Sequence, residues 1–499
     1  MVTLLIANMF LGRCRKIYLL VQQHTMKAAA FILICFLGSC EKLVEIPDSI
    51  NAVTTEKVFS DDNSATAALM GVYSQMINGG AIQQFSCGLA TILGSYSSDD
   101  LRGEADDFVA MNKLTALLAD NTNIPKLWVS SYSIGVYGAN AVLEGIGASA
   151  TLSRSVKEQL EGEAKFIRAF SYFYLTNFFG DVPLVLTTDF NQSATMPRTA
   201  QTLVYKQIIQ DLKDAQQLLP DNYNINNGLR IRANKWAATA LLARAYLYTG
   251  DFTNAALQAD AVIKNNTLFS LPTDLNTVFA VNSKEAIWQL QQNNGTPLGN
   301  ATPEGMYFMS AFFVPGGAGT ISSGSLSDQL LSAFEEDDKR RASWVTYMYS
   351  GNDTTWYPFK YKTGTYNRVI GAPLTEHYMA LRLAEQYLIR AEAASKGAAE
   401  GRTTAIADIN EIRKRAGVPL LENTIDDTQL QIAIEKEWQT EYFCEWGHRW
   451  LNLKRTGRAP SVLSQIPNKQ PWAGDHQLLY PIPSSERINN PFLSQNKDY

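Results

Sequence analysis

Hydrophobic positions along this chain recur mostly at helical spacing, and the helical stretches come in pairs. In the clearest pair, Arg232–Asn265, a helix opening at Asn234 carries Ala238, Leu241, Ala245 and Tyr248 on one face. Thr249-Gly250-Asp251 interrupts it. Phe252, Ala255, Ala256, Ala259, Val262 and Ile263 then fall at offsets 0, 3, 4, 7, 10 and 11, the stripe of a second helix. Alanine-rich faces let two antiparallel helices approach closely. Ser155-x-x-Glu158 has the form of a capping box and predicts a helix through Ala164, Ala169 and Tyr174, stopped by Gly180-Asp181-Val182-Pro183. Leu203–Leu219, ended by Pro220, is its expected partner. Leu381–Ser395 and Thr404–Ala416 form a further pair, the second carrying Ile406, Ile409 and Ile412 and closing on Gly417. Units that bury their faces only against neighbours predict a stacked helical scaffold.

Residues 266–376 break this pattern. Helical periodicity fades, Gly, Asn and Thr become frequent, and aromatics crowd in: Tyr307, Phe308, Phe312 and Phe313, then Trp344, Tyr347, Tyr349, Trp356, Tyr357, Phe359 and Tyr361. The expected result is a loop-rich lobe with short strands, inserted between helix pairs and folded on the scaffold.

Composition and charge narrow the class. With 46% hydrophobic and 18% charged residues over 499 positions, the chain is an ordinary globular protein rather than a disordered or fibrous one. The first 39 residues hold Arg13, Arg15, Lys16 and Lys27 and no acid, so the remainder has 39 basic against 48 acidic side chains, a net −9. An acidic body speaks against a nucleic-acid binder, which needs a basic footprint. No apolar run reaches the roughly 18 residues of a membrane-spanning helix. The five cysteines are too scattered for a disulfide framework or a zinc site, and Cys87 and Cys444 read as free, buried thiols. Residues 26–40, from Met26-Lys27 through the apolar stretch Ala28–Leu37 to Gly38-Ser39-Cys40, have the form of a secretory signal. Leu11-Gly12-Arg13-Cys14 has a similar outline, but Arg13 stands where a small residue is needed. The reading is therefore a leader over 1–39, with Met26 the favoured start, followed by a lipidated Cys40 and a tether over 40–60.

Several segments carry family resemblances. Leu242-Ala243-x-x-Tyr246, then Gly250-Asp251-Phe252 and Ala255, resembles a tetratricopeptide repeat. Leu37-Gly38-Ser39-Cys40 resembles a bacterial lipobox. Thr54–Phe59 with Ala67–Tyr73, Glu163–Ala169 leading to Phe179-Gly180-Asp181-Val182-Pro183, and Arg382–Glu385 with Ile389–Ala393 all resemble segments of one family. So do Glu441-Tyr442-Phe443 with Gly447-His448-Arg449-Trp450, Leu453–Gly457, Tyr480-Pro481-Ile482-Pro483 and Asn490-Pro491-Phe492 to Tyr499. In this order they resemble the SusD/RagB outer-membrane nutrient-uptake lipoproteins of Bacteroidetes. The resemblance implies a mostly α fold: a tetratricopeptide-like helix-pair scaffold over 61–265, an irregular ligand-side lobe over 266–376, and a C-terminal helical part over 377–499. It also implies a lipid anchor in the outer membrane facing the exterior, and a SusC-like TonB-dependent transporter as partner. The ligand would be an oligosaccharide or, alternatively, a peptide or glycoprotein fragment.

No constellation for catalysis stands out. His377, His448 and His476 are widely spaced, no His-Glu-x-x-His or Cys-x-x-Cys occurs, and neither a nucleophile elbow nor a phosphate loop is found. No metal or cofactor is expected. A glycoside hydrolase needs only two carboxylates. Of the acidic groups, Glu335-Glu336-Asp337-Asp338 with Lys339-Arg340-Arg341 reads as a solvated, charge-balanced turn. Asp99 and Asp100, after Tyr96 in a polar loop, read as acceptors for a ligand or as turn aspartates. Trp128, Tyr307, Trp344, Trp356 and Tyr357 are candidate platforms for the apolar face of a sugar, each weighed against a place in the core. Trp438, Trp446 and Trp450 are assigned to structure. Besides the glycan-binding lipoprotein, a hydrolase and a pure repeat scaffold stand as rivals. Replacing Cys40 by Ala should remove the acyl anchor; a fatty-acid label that persisted on the variant would place the anchor elsewhere.

Overall fold

Several helices of this chain begin where a side chain satisfies their first N–H groups. The computed structural model describes residues 21, 54–103, 121–319, 323–399, 401–472 and 474–499. Cys40 and, Val21 apart, the leader and tether as far as residue 53 lie outside them. Helix α1 (Asp62–Ile77) opens on Asp61, whose carboxylate accepts from the Asn63 and Ser64 N–H groups at 3.0 Å each. Helix α2 (Ala90–Ser97) leads to strand β1 (Leu101–Arg102), and α3 (Asn123–Ser130) and α4 (Tyr137–Ala148) follow. Helix α5 (Arg154–Phe179) is capped by Ser153, which accepts the Val156 N–H, two residues before the expected capping box; Glu158 instead takes Arg154 at 2.7 Å. Gly180, at φ +76°, ends it as expected. Then come α6 (Gln201–Leu218), α7 (Lys235–Tyr248) and α8 (Phe252–Ile263), with Asn234 capping α7 and Asp251 capping α8. The three-residue link between α7 and α8 forces a reversal, so the pair is an antiparallel hairpin. Each of α5, α6, α7 and α8 packs on the next.

The aromatic-rich segment contains the short strands expected of it. It holds β2 (Ala286–Leu290), α9 (Pro303–Phe308), β3 (Gly317–Ala318), β4 (Ser325–Leu326) and α10 (Asp328–Ala333). Helix α11 (Lys339–Trp344) then runs into a hairpin of β5 (Val345–Ser350) and β6 (Asp353–Pro358). Strand β3 pairs parallel with β5, β5 antiparallel with β6, and β1 antiparallel with β4. Strand β7 (Tyr378–Arg382) pairs antiparallel with β2. Leu381 and Arg382, expected in a helix, therefore belong to a strand. All five β7 residues are buried, and a run covered on both sides has no helical stripe to reveal it. The pairing also ties the 266–376 lobe to the C-terminal part across the expected 376/377 boundary, and Val58–Tyr499 is one compact unit.

Helices α12 (Leu383–Ser395), α13 (Arg402–Ala416), α14 (Asp427–Tyr442) and α15 (His448–Arg455) complete the scaffold. Helix α12 packs on α8, α13 and α14, and so extends the helical stack beyond α8. Gly417, at φ +76°, closes α13 as expected, and Asp426 and Gln429 form a reciprocal capping box on α14. Helix α15 meets α2 at a glycine contact. A Cβ on Gly94 would lie 2.4 Å from the Gly447 Cα, and Gly447 itself has φ +70°. Only two glycines allow that approach. Trp438, Trp446 and Trp450 are buried, and Cys87 and Cys444 are free and buried.

A continuous ionic network runs through the C-terminal core. Arg382, 1% exposed, binds Glu285 at 2.8 Å, Glu441 at 2.6 Å and Glu445 at 2.8 Å, and its guanidinium lies 3.8 Å from the Tyr442 ring centre. Arg415 joins Glu285 and Glu441. Arg340 joins Asp338, Glu437 and Glu441, Arg413 joins Glu437 and Glu335, and Lys360 joins Glu445. Burial alone would raise the Glu441 carboxyl, but Arg415, Arg382 and Arg340 hold it well below the usual carboxylate range. The Glu335–Asp338 turn is thus only partly solvated: Asp338 is buried as the cap of α11 and Glu335 is paired with Arg413. Charges this deep are stable only while paired. Arg382→Met should cost about 3–5 kcal/mol by leaving carboxylates uncompensated, read as a lower urea midpoint at unchanged slope. Arg154→Ala, at an exposed pair, should leave the midpoint in place.

Candidate functional site

The candidate site is the outward face of the β5–β6 hairpin. Successive strand residues point to opposite sides, so the register Tyr347↔Trp356 and Tyr349↔Thr354 puts these side chains on one face and Met348, Thr355 and Tyr357 on the other. Tyr347 and Tyr349 are exposed and Trp356 is half-buried, whereas Tyr357 is buried against Phe313. The Tyr347 and Trp356 rings sit 5.1 Å apart at 57°, and the Arg341 guanidinium lies 5.4 Å from the Trp356 ring centre. A two-residue turn with Gly351 at φ +61° closes the hairpin. The preceding loop runs alongside: Gly316 and Gly319 donate N–H groups to the Tyr347 and Tyr349 carbonyls, and Phe312 on that loop is 71% exposed. Flat apolar rings beside a guanidinium and backbone polar groups suit a ligand with apolar faces and a polar rim.

A second cluster adjoins it, because β4 packs beside β6. The Tyr96 and Tyr307 hydroxyls lie 3.1 Å apart, Lys469 donates to the Tyr96 carbonyl, and Arg102 contacts Ser325 and Asp328. Helix α9, which carries Tyr307, is pinned by Glu304, whose carboxyl accepts from Thr91 at 2.6 Å and Tyr378 at 2.8 Å. Burial raises Glu304 to about 8 against those two hydrogen bonds.

The other candidates are turned inward. Asp99 forms a two-pronged pair with Arg449, at 2.6 and 2.8 Å. Asp100 accepts the Cys444 N–H at 3.1 Å; its other oxygen is buried without a partner among the described residues. Burial, then the Asp99 charge, raises Asp100 to about 7. The two aspartates therefore join α2 to the C-terminal helices rather than reach outward as acceptors. Trp344 is fully buried, donating to the Leu275 carbonyl at 3.0 Å with Lys360 4.9 Å from its ring centre. Trp128 is buried between Tyr132 and Phe179 and lines a separate cleft with Tyr137 and Phe190 that includes no hairpin residue. Of the eight ligand candidates, Trp356 alone lies on the outer hairpin face; Tyr96 is buried and pairs with the half-buried Tyr307 in the neighbouring cluster. Tyr347, Tyr349 and Arg341 were not among them. Strict alternation in Val345–Ser350 puts both tyrosines on one face, but which face is covered depends on the rest of the fold.

This mostly helical fold is shared with known proteins. A family model described as "Starch-binding associating with outer membrane" matches residues 90–247, and one described as "SusD family" matches 346–499. The chain belongs to the SusD/RagB family. It is 26% identical over 524 residues to SusD-like protein P2 of Formosa agariphila, covering 94% of this chain and 98% of that one. A solved SusD homolog from Bacteroides thetaiotaomicron superposes with TM-score 0.75 at 21% identity, covering 89% of this chain and 98% of that one. Surface glycan-binding protein A from the same organism, solved with laminarihexaose, gives TM-score 0.72 at 20% identity over 87% of this chain and 99% of that one.

Glu304 supplies a pH test of how the site is supported. A carboxyl whose folded pKa lies above its ordinary 4.5 adds stability below that value, and the contribution is lost as pH rises through about 8. Glu304→Gln should therefore flatten the fall in melting temperature between about pH 5 and pH 9 while keeping the fold. An unchanged pH profile would show that Glu304 is already charged at neutrality.

Proposed function

We propose that this protein is a surface-exposed, lipid-anchored outer-membrane protein that binds oligosaccharide and passes it to a TonB-dependent transporter for nutrient uptake. The observation that carries the ligand class is the pair Tyr347–Trp356, with Arg341 above the indole, on the outward face of the hairpin. A pyranose offers one apolar C–H face to such a ring and a rim of hydroxyls to neighbouring donors. The laminarihexaose complex of surface glycan-binding protein A supports a glycan, and the description of the matched family model supports the outer membrane. The anchor and the transporter rest on the lipobox-like segment at Cys40 and on family membership. No helix of the described residues is long and apolar enough to cross a membrane, which agrees with attachment through a lipid.

The reading is one of capture rather than catalysis. The adjacent carboxylates Asp99 and Asp100 are held by Arg449 and by the Cys444 N–H, so neither is placed as a glycosidase acid or nucleophile. Trp356→Ala and Tyr347→Ala should each weaken binding of a neutral hexaose by roughly 5- to 30-fold, about 1–2 kcal/mol of lost stacking and burial, with the circular dichroism unchanged. Calorimetric titration with laminarihexaose, maltohexaose and an uncharged hexapeptide decides it. Peptide binding without glycan binding, or glycan affinity untouched by both variants, would overturn the proposal.

A further inference from the structure

A groove of about 580 Å³ opens between the end of α1, the Asn224–Asn226 turn and the segment that follows β2. It shares no residue with the aromatic hairpin. Its walls are rich in side-chain amides: Asn78, Asn226, Gln291, Asn293 and Asn294 all line it. The Asn293 N–H donates to Asn78 Oδ1 at 2.8 Å and joins two of the walls, and Asn294 is braced on the Ala372 carbonyl at 2.8 Å. Two further lining residues, Gln292 and His377, are 1% and 2% exposed. Gln292 spends its Nε2 on the Glu376 carbonyl at 3.0 Å, leaving Oε1 buried with no partner among the described residues; His377 Nδ1 is left in the same state. Both residues line the groove, and buried polar groups are usually satisfied.

The chemistry of the lining selects a ligand class. Each amide offers both donor and acceptor, which matches hydroxyl groups that do the same. Among the described residues no free cation lines the groove, because the Arg232 guanidinium is committed to Glu163, and burial holds the His377 imidazole neutral, down to about 4. Among the described lining residues an anionic ligand would find no unpaired counter-charge and a metal ion no carboxylate. Leu229, Ile231 and Leu374 add small apolar patches suited to C–H faces.

We propose that this amide groove is a second binding site, separate from the aromatic hairpin, for a neutral polyhydroxylated ligand, an uncharged stretch of glycan. It does not rest on the hairpin's role, and either site could hold alone. Hydrogen exchange of the full-length protein reads the two independently, through segments 289–295 and 345–358. Laminarihexaose and maltohexaose are the probes, with a hexagalacturonide and an uncharged hexapeptide for comparison. The expected result is slowed exchange at 289–295 with at least one neutral hexaose. Asn78→Ala with Asn293→Ala should raise its half-saturation at least about tenfold, as expected for the loss of two hydrogen-bonding groups, while the response at 345–358 stays as it was. Gln291→Ala, at an exposed position, is the milder second variant. Absence of protection at 289–295, protection given equally by the peptide or the hexagalacturonide, or protection that these variants leave unweakened would each overturn the proposal. Protection at 289–295 with none at 345–358 would instead overturn the hairpin's role and keep the groove.

Discussion

Arg382 and the carboxylates around it form the constraint on which the rest of this structure depends. Removing a guanidinium and several carboxylates from water costs many kcal/mol, and only close, multiply hydrogen-bonded pairing repays it. The network therefore tolerates little geometric slack. It takes Arg382 from the end of β7, Arg415 from α13, Arg340 from α11 and Glu441 from α14, and so holds four separately folded pieces of chain in one register. Apolar packing alone would let these elements slide against one another. Directional charge pairs do not.

The site inherits that rigidity. Helix α11 runs directly into β5, so the arginine that locks α11 to Glu437 and Glu441 also fixes where the aromatic hairpin emerges. Lys360, just past β6, is anchored on Glu445 and lies 4.0 Å from the Phe443 ring centre, which holds the other end of the hairpin. A binding surface built from two short strands would be poorly ordered alone. Here both of its ends are tied into the buried network, which holds the rings in place.

Much of the scaffold was legible because its physics is local. Asn234, Thr249-Gly250-Asp251 and Gly417 act within a few residues, through caps and a left-handed turn, and the helices they bound lie where the pattern places them. Ser155 failed for the same reason: Ser153 offers an equivalent hydroxyl two residues earlier, and local sequence does not rank them. Leu381 and Arg382 failed because a strand covered on both faces has no periodicity. Asp99 and Asp100 read as ligand acceptors or turn aspartates in a polar loop until Arg449, which is 350 positions from Asp99 in the chain, is brought beside them.

The aromatic residues divide along the same line. Sequence alone determined that 266–376 would be an aromatic, strand-bearing lobe on a helical scaffold, and alternation alone required Trp356 and Tyr357 to face opposite ways. Which of the two meets solvent was decided only by the tertiary structure, because burial depends on what packs over a face. Phe313 covers Tyr357, whereas Trp356 packs on the edge of the core and keeps contact with the exposed Tyr347 and with Arg341. The charged core follows the same rule. Its arginines and glutamates look like ordinary surface residues in the chain, and only assembly of β7, α11, α13 and α14 makes them the interior.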